Sequence, residues 1–153
     1  MKVLVSACLL GINCKYNGKN NFKKEISSLI DKGYSLIPIC PEQLGGLPTP
    51  RETAEIVLGS GLDVLKGNSK ILNKKGKDVS SNFLSGAKQS LYIAKLFNID
   101  KAVLKEKSPS CGVNFIYNKG ILKKGAGITT SLLKLNNIKV ISSHNFKEED
   151  LFD

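Results

Sequence analysis

Cysteine is the residue type with the most capacity for chemistry in this 153-residue chain, and it occurs four times. Cys8 and Cys40 come just past two predicted strands, and Cys111 lies in the loop after a third. Because ligands of open parallel sheets bind outside the carboxyl ends of the strands, we expect all three to face one crevice. Each lies in a turn with glycine or proline nearby. Such turns expose backbone N–H groups that can hydrogen-bond thiolate sulfur and tune a metal centre. A single cysteine of this kind is more often a small core residue. Three in equivalent positions favour a shared metal or cluster site.

Cys14 differs from these three cysteines because it lies in a polar loop between Gly11 and Gly18. No apolar run leads directly into it. We therefore expect Cys14 to be a spare, exposed thiol outside the chemistry, with the role of a fourth metal ligand as the alternative.

The residue types available favour an iron–sulfur cluster over zinc. A structural zinc site takes four Cys or His ligands, but His144 is the only histidine and the chain has no Cys-x-x-Cys pair. Three thiolates suit a cubane cluster, which takes one cysteine per iron and leaves the fourth iron open. An open iron is a Lewis acid that can polarise a substrate sulfur or oxygen. Zinc is disfavoured and stays an alternative.

Acid–base groups lie close to the same cysteines in the sequence. Glu42 comes two residues after Cys40, and Ser108 and Ser110 come three residues and one residue before Cys111. A partly buried carboxylate can act as general base or acid, and a serine can position water or donate a hydrogen bond. The alternatives are a solvated loop carboxylate and serines that only bond the local backbone.

Arg51, the only arginine, lies in a proline-rich stretch after Cys40. Its planar fork of donors suits an anionic or carbonyl-bearing substrate group, so Arg51 is a candidate substrate-binding residue. It could equally form a salt bridge with Glu52 or Glu55.

The elements that must position these residues alternate between strand and helix. Apolar, β-branched runs predict strands, and apolar residues at helical spacing predict helices. This order favours βαβ units and a small three-layer, Rossmann-like α/β domain, in which a parallel sheet has helices on both faces. The predicted strands are Val3–Ala7, Ser35–Ile39, 54–58, Ala102–Leu104 and Lys139–Ser142, and the predicted helices are 22–33, 80–98 and Ile128–Leu135.

Boundaries within this plan come from capping and breaking residues. Gly33 is the predicted C-terminal cap of the first helix, and Ser80 or Ser81 the predicted N-cap of the next. The second strand ends at Cys40-Pro41-Glu42, and glycines and prolines exclude regular structure from the next stretch, up to Thr53. Alternation over 63–78 indicates a hairpin. We expect one domain over residues 1–153, with residues 145–153 as an acidic-leaning tail that frays.

The chain carries a net charge of +10. Arg51 is the only arginine, so 22 of the 23 basic residues are lysine. They are spread along the chain without the arginine and aromatic residues of a base-reading surface, which favours a solvated surface over dedicated nucleic-acid binding. Apolar stretches are too short for a membrane span and the start is unlike a signal peptide. We therefore expect a cytoplasmic protein that does not engage a membrane.

Four sequence blocks extend over nearly the whole chain: Val5–Gly11, Pro38–Glu42, Gly45–Arg51 and Leu104–Gly112, the last of which ends in Ser-Pro-Ser-Cys-Gly. Taken together and in this order, they resemble the TudS family, formerly a domain of unknown function. Members with an assigned activity are similar to thiouracil desulfidases, which carry a [4Fe-4S] cluster on three cysteines and replace the sulfur of a thiolated pyrimidine with oxygen.

The resemblance implies that Cys8, Cys40 and Cys111 hold the cluster and that the substrate sulfur binds its fourth iron. It further implies that Glu42 and Ser108 assist proton transfer and the attack of water, with release of sulfide. Longer relatives that act on thiolated tRNA carry an additional C-terminal domain. We therefore expect a free thiolated base or nucleoside, rather than tRNA, as the substrate of this chain.

Two other hypotheses compete with a desulfidase. In the first, the cysteines bind zinc or simply pack, and the lysine-rich surface of a binding module contacts RNA. In the second, Cys111 is a nucleophile, although His144 is the only histidine that could activate it.

Overall fold

Eight strands and five helices are present in residues 1–152, the part of the chain that this computed structural model describes. The strands are β1 (Lys2–Ser6), β2 (Ser35–Ile39), β3 (Ala54–Ile56), β4 (Ile71–Asn73), β5 (Lys101–Leu104), β6 (Phe115–Asn118), β7 (Ile121–Lys124) and β8 (Lys139–Ser142). The helices are α1 (Lys24–Ser27), α2 (Pro41–Leu44), α3 (Gly61–Leu65), α4 (Ser80–Leu96) and α5 (Ile128–Leu135). Short 3-10 helices form over Ala7–Leu10, Ile30–Lys32 and Glu148–Leu151.

The central sheet is parallel, with strand order β2-β1-β5-β8. Because side chains alternate between the two faces of a strand, β1 contributes to the core on both sides. Val3 and Val5 belong to one apolar cluster and Leu4 to another. The first cluster includes Ile26, Leu29 and Leu151, and the second includes Ala94 of α4 and Leu133 of α5. The predicted α/β class, with helical layers on both faces of a parallel sheet, is confirmed.

The order of the strands brings three loops together. β1 pairs with β2 on one side and with β5 on the other, so the chain reverses its direction across the sheet after β2. In open parallel sheets, ligands bind at such a reversal, outside the carboxyl ends of the strands. The loops that follow β1, β2 and β5 therefore meet at one edge of the sheet.

The strongest helical pattern in the sequence corresponds to α4, which begins at Ser80 and ends at Leu96. The predicted serine N-cap is wrong, because Ser80 is itself the first helical residue. Its hydroxyl accepts a hydrogen bond from the N–H of Ile71 (2.8 Å), and its own N–H donates to the Asp78 carboxylate (2.9 Å). None of the helices between residues 1 and 152 combines the length and the apolar character needed to cross a bilayer.

The predicted helix over residues 22–33 is wrong as a single element. The segment contains only α1 and the 3-10 helix Ile30–Lys32, and the side chain of Phe22 is 56% exposed. Gly33 does end the segment as predicted, with φ of 89°, because glycine adopts the left-handed conformation at little cost.

Regular structure begins earlier after Cys40 than expected. Pro41 starts α2, because proline is tolerated in the first turn of a helix, where its N–H has no intrahelical partner. The hairpin expected over 63–78 is only partly present. The end of α3 lies in that range and β4 pairs antiparallel with β3, but an isolated antiparallel bridge also joins Leu72 to Asp78 across a turn that contains Gly76.

One hairpin, formed by β6 and β7, was not predicted. Its turn residues Lys119 and Gly120 both have positive φ, as in the tight turns that join antiparallel strands. All four residues of β7 are exposed, so this hairpin lacks the apolar alternation by which strands are recognised.

The tail that was expected to fray is packed on the core over its described residues. Phe146 is 7% exposed and Leu151 is fully buried. The Tyr34 hydroxyl also donates to Glu148 (2.9 Å). Asp153, the last residue of the predicted tail, lies outside the described part of the chain.

Glycine permits an unusually close approach of α2 to α4. A Cβ atom at Gly86 of α4 would overlap the backbone carbonyl of Pro41, and one at Gly45 would overlap the carbonyl of Asn82. The Asn82 amide also donates to the Gly45 carbonyl (2.9 Å). This contact holds α2, and with it the segment that follows Cys40, against the longest helix.

We predict that Gly86→Ala lowers the free energy of unfolding by about 1–3 kcal/mol, because the added methyl group overpacks the contact with Pro41. This loss should exceed the gain of roughly 1 kcal/mol that alanine brings to a helix interior. Denaturant unfolding measures the change. Ser85→Ala, at the neighbouring exposed position of α4, is the control and should stay within about 0.5 kcal/mol of the wild type. A Gly86→Ala protein as stable as the control would contradict the packing argument.

Candidate active site

A cavity of about 500 Å³ opens at the carboxyl ends of β1, β2 and β5. Cys8, Cys40 and Cys111 all line it, as the positions of these residues after three strands predicted. Glu42, Arg51, Ser108 and Ser110 line the same cavity. The structure therefore brings every candidate site residue from the sequence to one place.

Local hydrogen bonds fix the backbone at Cys8 and Cys111. Cys8 lies in the 3-10 helix after β1, and its carbonyl accepts from the N–H groups of Gly11 (3.3 Å) and Asn21 (2.9 Å). At Cys111 the backbone N–H donates to the Ser108 hydroxyl (3.1 Å). The next N–H, that of Gly112, donates to the Ser108 carbonyl (2.8 Å). Cys40 is positioned by regular structure on both sides, because it connects β2 directly to α2.

The thiols of Cys8 and Cys40 are favoured as thiolates. A hydrogen bond with Cys14 is the main cause that lowers the pKa of Cys8 to about 7, and Asn21 and the charge of Lys105 act in the same direction. Cys14 is also the main cause that lowers the pKa of Cys40 to about 6, helped by the backbone N–H of Gln43 and the charge of Arg51. Burial opposes both shifts. Thiolates are the form in which cysteine binds metals.

Cys111 has the opposite tendency. Burial raises the pKa of Cys111 to about 12, although the hydroxyls of Ser6 and Ser110 act to lower it. The Ser110 hydroxyl lies 3.8 Å from the Cys111 sulfur. A coordinated metal ion deprotonates a thiol outright, so the raised pKa of Cys111 does not prevent its sulfur from binding a metal.

The expectation that Cys14 is an exposed thiol is wrong. Cys14 is 2% exposed and lines the cavity, and the Cys40 thiol lies 3.7 Å from its carbonyl oxygen. Interactions with the Cys40 and Cys8 side chains, together with burial, raise the pKa of Cys14. The polar residues around Cys14 hid this arrangement, because the loop folds back over the strand ends instead of extending into solvent.

Glu42, Ser108 and Ser110 form one hydrogen-bonded group on the wall of the cavity. The Ser110 hydroxyl donates to Glu42 Oε2 (2.9 Å), and the Ser108 hydroxyl lies 3.4 Å from the same oxygen. The two hydroxyl oxygens are 2.8 Å apart. Glu42 is therefore neither a solvated loop carboxylate nor isolated from the serines, and a proton can pass between these groups.

Arg51 is buried against Glu42, to which its Nε donates (3.0 Å), and its side chain is only 6% exposed. The guanidinium also donates to the carbonyls of Cys14 (2.8 Å) and Pro48 (3.3 Å) and to the Thr49 hydroxyl (3.1 Å). The salt-bridge partner is thus Glu42, not Glu52 or Glu55. Arg51 orients the carboxylate of Glu42, and its role as a substrate-binding residue stays a prediction.

Lys105 and Glu106 are site residues that the sequence analysis did not select. Lys105 lines the cavity, its charge acts on the Cys8 thiol, and burial lowers the pKa of Lys105 itself. Glu106 is 7% exposed and accepts from the N–H groups of Val113 (2.7 Å), Asn114 (2.8 Å) and Phe115 (3.0 Å). The Ser142 hydroxyl of β8 donates to its other oxygen (2.6 Å). A charged pair inside a lysine-rich run gives no sequence signal for such a role.

Within residues 1–152, no group of three or more Cys, His, Asp or Glu side chains is placed to hold a single metal ion, and this includes the side chains of Cys8, Cys40 and Cys111. The hypothesis of a nucleophilic Cys111 lacks its base. His144 is exposed and is not among the described residues that line the cavity, so it does not partner Cys111 as a base.

These features define a class of protein, namely a parallel α/β domain with a cysteine-lined cavity beside a Glu–Ser hydrogen-bond network. A model of the 2-thiouracil desulfurase family matches residues 3–145. The chain belongs to that family, so the predicted resemblance and the prediction of a desulfidase enzyme are confirmed.

Two proteins illustrate this relationship. YbbK of Bacillus subtilis (strain 168), described as an uncharacterized protein, is 44% identical over 149 residues, which cover 95% of this chain and 98% of YbbK. A solved structure named [4Fe-4S]-dependent thiouracil desulfidase TudS is 37% identical and superposes with a TM-score of 0.84. The match covers 98% of this chain and 95% of the TudS chain.

We predict that Glu106→Gln lowers the free energy of unfolding by about 1–3 kcal/mol near neutral pH, because it removes a buried charge to which several donors are directed. Burial alone would raise the pKa of Glu106, but the hydrogen bonds from Ser142 and three backbone N–H groups outweigh it and lower the pKa. Its stabilising contribution is therefore present above about pH 4.3, the ordinary carboxyl value, and is lost as the pH falls through the lower folded-state value.

Unfolding measured from pH 7 to pH 3 tests this prediction. The wild type should lose more stability over that range than Glu106→Gln does, so the two curves converge in acid. Glu25→Gln, on a side chain that is 52% exposed, is the control and should follow the wild-type curve. Parallel curves for the wild type and Glu106→Gln would contradict the assigned pKa.

Proposed function

We propose that this protein is a [4Fe-4S]-dependent desulfidase that hydrolyses the C=S bond of a thiolated pyrimidine, a base or nucleoside of the 2-thiouracil type. Water supplies the oxygen of the new C=O bond, and the sulfur leaves as sulfide, so no net oxidation or reduction occurs. The observation that carries the proposal is the convergence of Cys8, Cys40 and Cys111 on one cavity beside Glu42. Membership of the 2-thiouracil desulfurase family and the similarity to TudS support it.

The donor set of the cavity fits such a cluster. Its three thiols follow three neighbouring strands, and the charges of Lys105 and Arg51 act on Cys8 and Cys40. These cations offset the negative charge that thiolate ligands bring. In this proposal Cys8, Cys40 and Cys111 hold the cluster. When bound, the cluster supplies one iron with an open position, a Lewis acid that attracts a soft thiocarbonyl sulfur.

Glu42 is the proposed general base. Its Oε1 is held by Arg51, and its Oε2 faces the hydroxyls of Ser108 and Ser110. This arrangement lets the serines orient a water molecule towards the thiocarbonyl carbon while Oε2 accepts one of its protons. The same proton can then pass to the departing sulfur, which leaves the carboxylate ready for another turnover.

Aromatic side chains supply a surface for the heterocycle. Tyr16 and Tyr117 both line the cavity and are partly exposed, 43% and 39% respectively. A base stacked on an aromatic ring is stabilised by about 1–3 kcal/mol. A cavity of about 500 Å³ also lies within the range that small-molecule sites occupy.

The cysteine ligands give the direct test. Protein reconstituted without oxygen should be brown, contain iron and acid-labile sulfide, and release sulfide from 2-thiouracil. We predict that Cys8→Ser, Cys40→Ser and Cys111→Ser each lose the colour, most of the iron and the activity, because each removes one of three ligands. Iron analysis, visible spectra and a sulfide assay measure these losses. Wild-type protein with stoichiometric zinc and no iron would contradict the proposal and favour the binding-module hypothesis.

We predict that Glu42→Gln lowers kcat by about 10²–10⁴-fold, the usual contribution of a general base, while iron content is unchanged. The amide keeps the shape of the side chain but cannot accept the proton of water. Steady-state kinetics with 2-thiouracil measures the loss. Glu52→Gln is the matched control, since Glu52 is a surface residue that pairs with Lys75 (3.4 Å). If Glu42→Gln kept the wild-type kcat, another group would be the base.

A further inference from the structure

The turn that carries Cys111 lies directly on the first residues of α5. The N–H groups of Thr129 (3.0 Å) and Thr130 (3.3 Å) both donate to the Ser110 carbonyl. A Cβ atom at Gly127, the residue before the helix, would overlap the same carbonyl. The helix and the turn are therefore in direct backbone contact.

A side chain of α5 holds the Cys111 carbonyl. The Thr130 hydroxyl donates to this carbonyl (3.0 Å), and both residues are buried. On the other side of Cys111, its N–H donates to the Ser108 hydroxyl (3.1 Å). Because φ and ψ are the only soft backbone dihedrals of a residue, fixing both adjoining peptide groups fixes the direction in which the Cys111 side chain leaves the backbone.

We propose that Thr130 is a positioning residue for the proposed cluster, and that its hydroxyl holds the Cys111 backbone so that the sulfur stays at the cavity wall. This inference rests on the proposed function, because it takes Cys111 as a cluster ligand. Thr130 is fully buried and is not among the described residues that line the cavity. It therefore acts through Cys111 and does not touch the substrate.

Cys111 depends on such a contact more than the other two proposed ligands do. Cys40 connects β2 to α2, and Cys8 lies within a 3-10 helix, so regular structure fixes the backbone of both. Cys111 lies in neither a helix nor a strand. Groups that orient a metal ligand contribute to metal affinity through that ligand.

Thr129 provides a comparison on the same helix. It is as deeply buried as Thr130, but its hydroxyl has no hydrogen-bond partner within residues 1–152. Replacing the hydroxyl with a methyl group therefore removes the bond to Cys111 at Thr130 and removes no hydrogen bond at Thr129. Because a buried polar group without a partner is unfavourable, Thr129→Val should not weaken the fold.

Three variants of the full chain test the inference, namely Thr130→Val, Thr130→Ser and Thr129→Val. Each is reconstituted without oxygen and mixed with an excess of a ferrous-iron chelator, and the loss of visible absorption gives the rate of iron release. We expect Thr130→Val to release iron about 10–100-fold faster than the wild type, the usual loss when a group that orients a ligand is removed. Thr130→Ser, which keeps the donor, and Thr129→Val should release iron near the wild-type rate. The KM for 2-thiouracil should be unchanged in all three, because neither position is among the described residues that line the cavity.

Each other outcome identifies a different error. Equal rates in the wild type and Thr130→Val would overturn this inference and leave the proposed function intact. Release from Thr130→Ser or Thr129→Val as fast as from Thr130→Val would also overturn it, since the bond to Cys111 would not be the cause. Wild-type protein that takes up no iron and sulfide would overturn the proposed function and this inference together. If Thr130→Val fails to fold, Thr130→Ala is compared with Thr130→Ser, since both lack the methyl group and differ in the donor, and equal rates in that pair would likewise overturn the inference.

Discussion

The parallel pairing of β1 with both β2 and β5 is the constraint on which the site depends. The register of β1 and β2 places Ser6 opposite Ile39, so the chain leaves both strands at the same level of the sheet. Cys8 and Cys40 follow those two residues closely, and the loop after β5 adds Cys111 from the other side. A shift of one residue in the β1–β2 register would move one sulfur relative to the other and turn its strand's core side chains to the opposite face. The hydrophobic core therefore fixes the separation of the thiols as well as the fold.

Arg51 links two of the segments that follow these strands. Its donors reach Glu42 on the segment after β2 and the Cys14 carbonyl on the loop after β1. A nearly buried guanidinium is costly unless its donors are satisfied, and here a carboxylate and three further protein oxygens satisfy it. One residue thus orients the proposed base and fixes the Cys14 carbonyl, which lies beside the Cys40 thiol.

The sequence predicted regular elements with a clear apolar pattern and the site residues that follow such elements. The ranges of β2, α5 and β8 and the convergence of Cys8, Cys40 and Cys111 could be predicted, because strand ends in a parallel sheet share an edge. Cys14 could not be placed, since its burial comes from a polar loop held by backbone hydrogen bonds and by distant Arg51. Glu106 was missed for a related reason: its partners are backbone N–H groups, which no residue type reveals. The exposed β6–β7 hairpin lacks the apolar pattern that periodicity arguments need.

Glu106 and Glu42 both lie near the proposed cysteine ligands, but they differ in their capacity to accept a proton. Glu106 is surrounded by backbone and hydroxyl donors, and these hold its pKa below the ordinary value despite burial, so it is a poor acceptor for a further proton. Glu42 has only one oxygen tied to a cation, and its other oxygen meets two hydroxyls that can turn towards water. Glu106 therefore holds the loop that follows Cys111, whereas Glu42 suits the role of proposed base through its Oε2, whose partners are two hydroxyl groups.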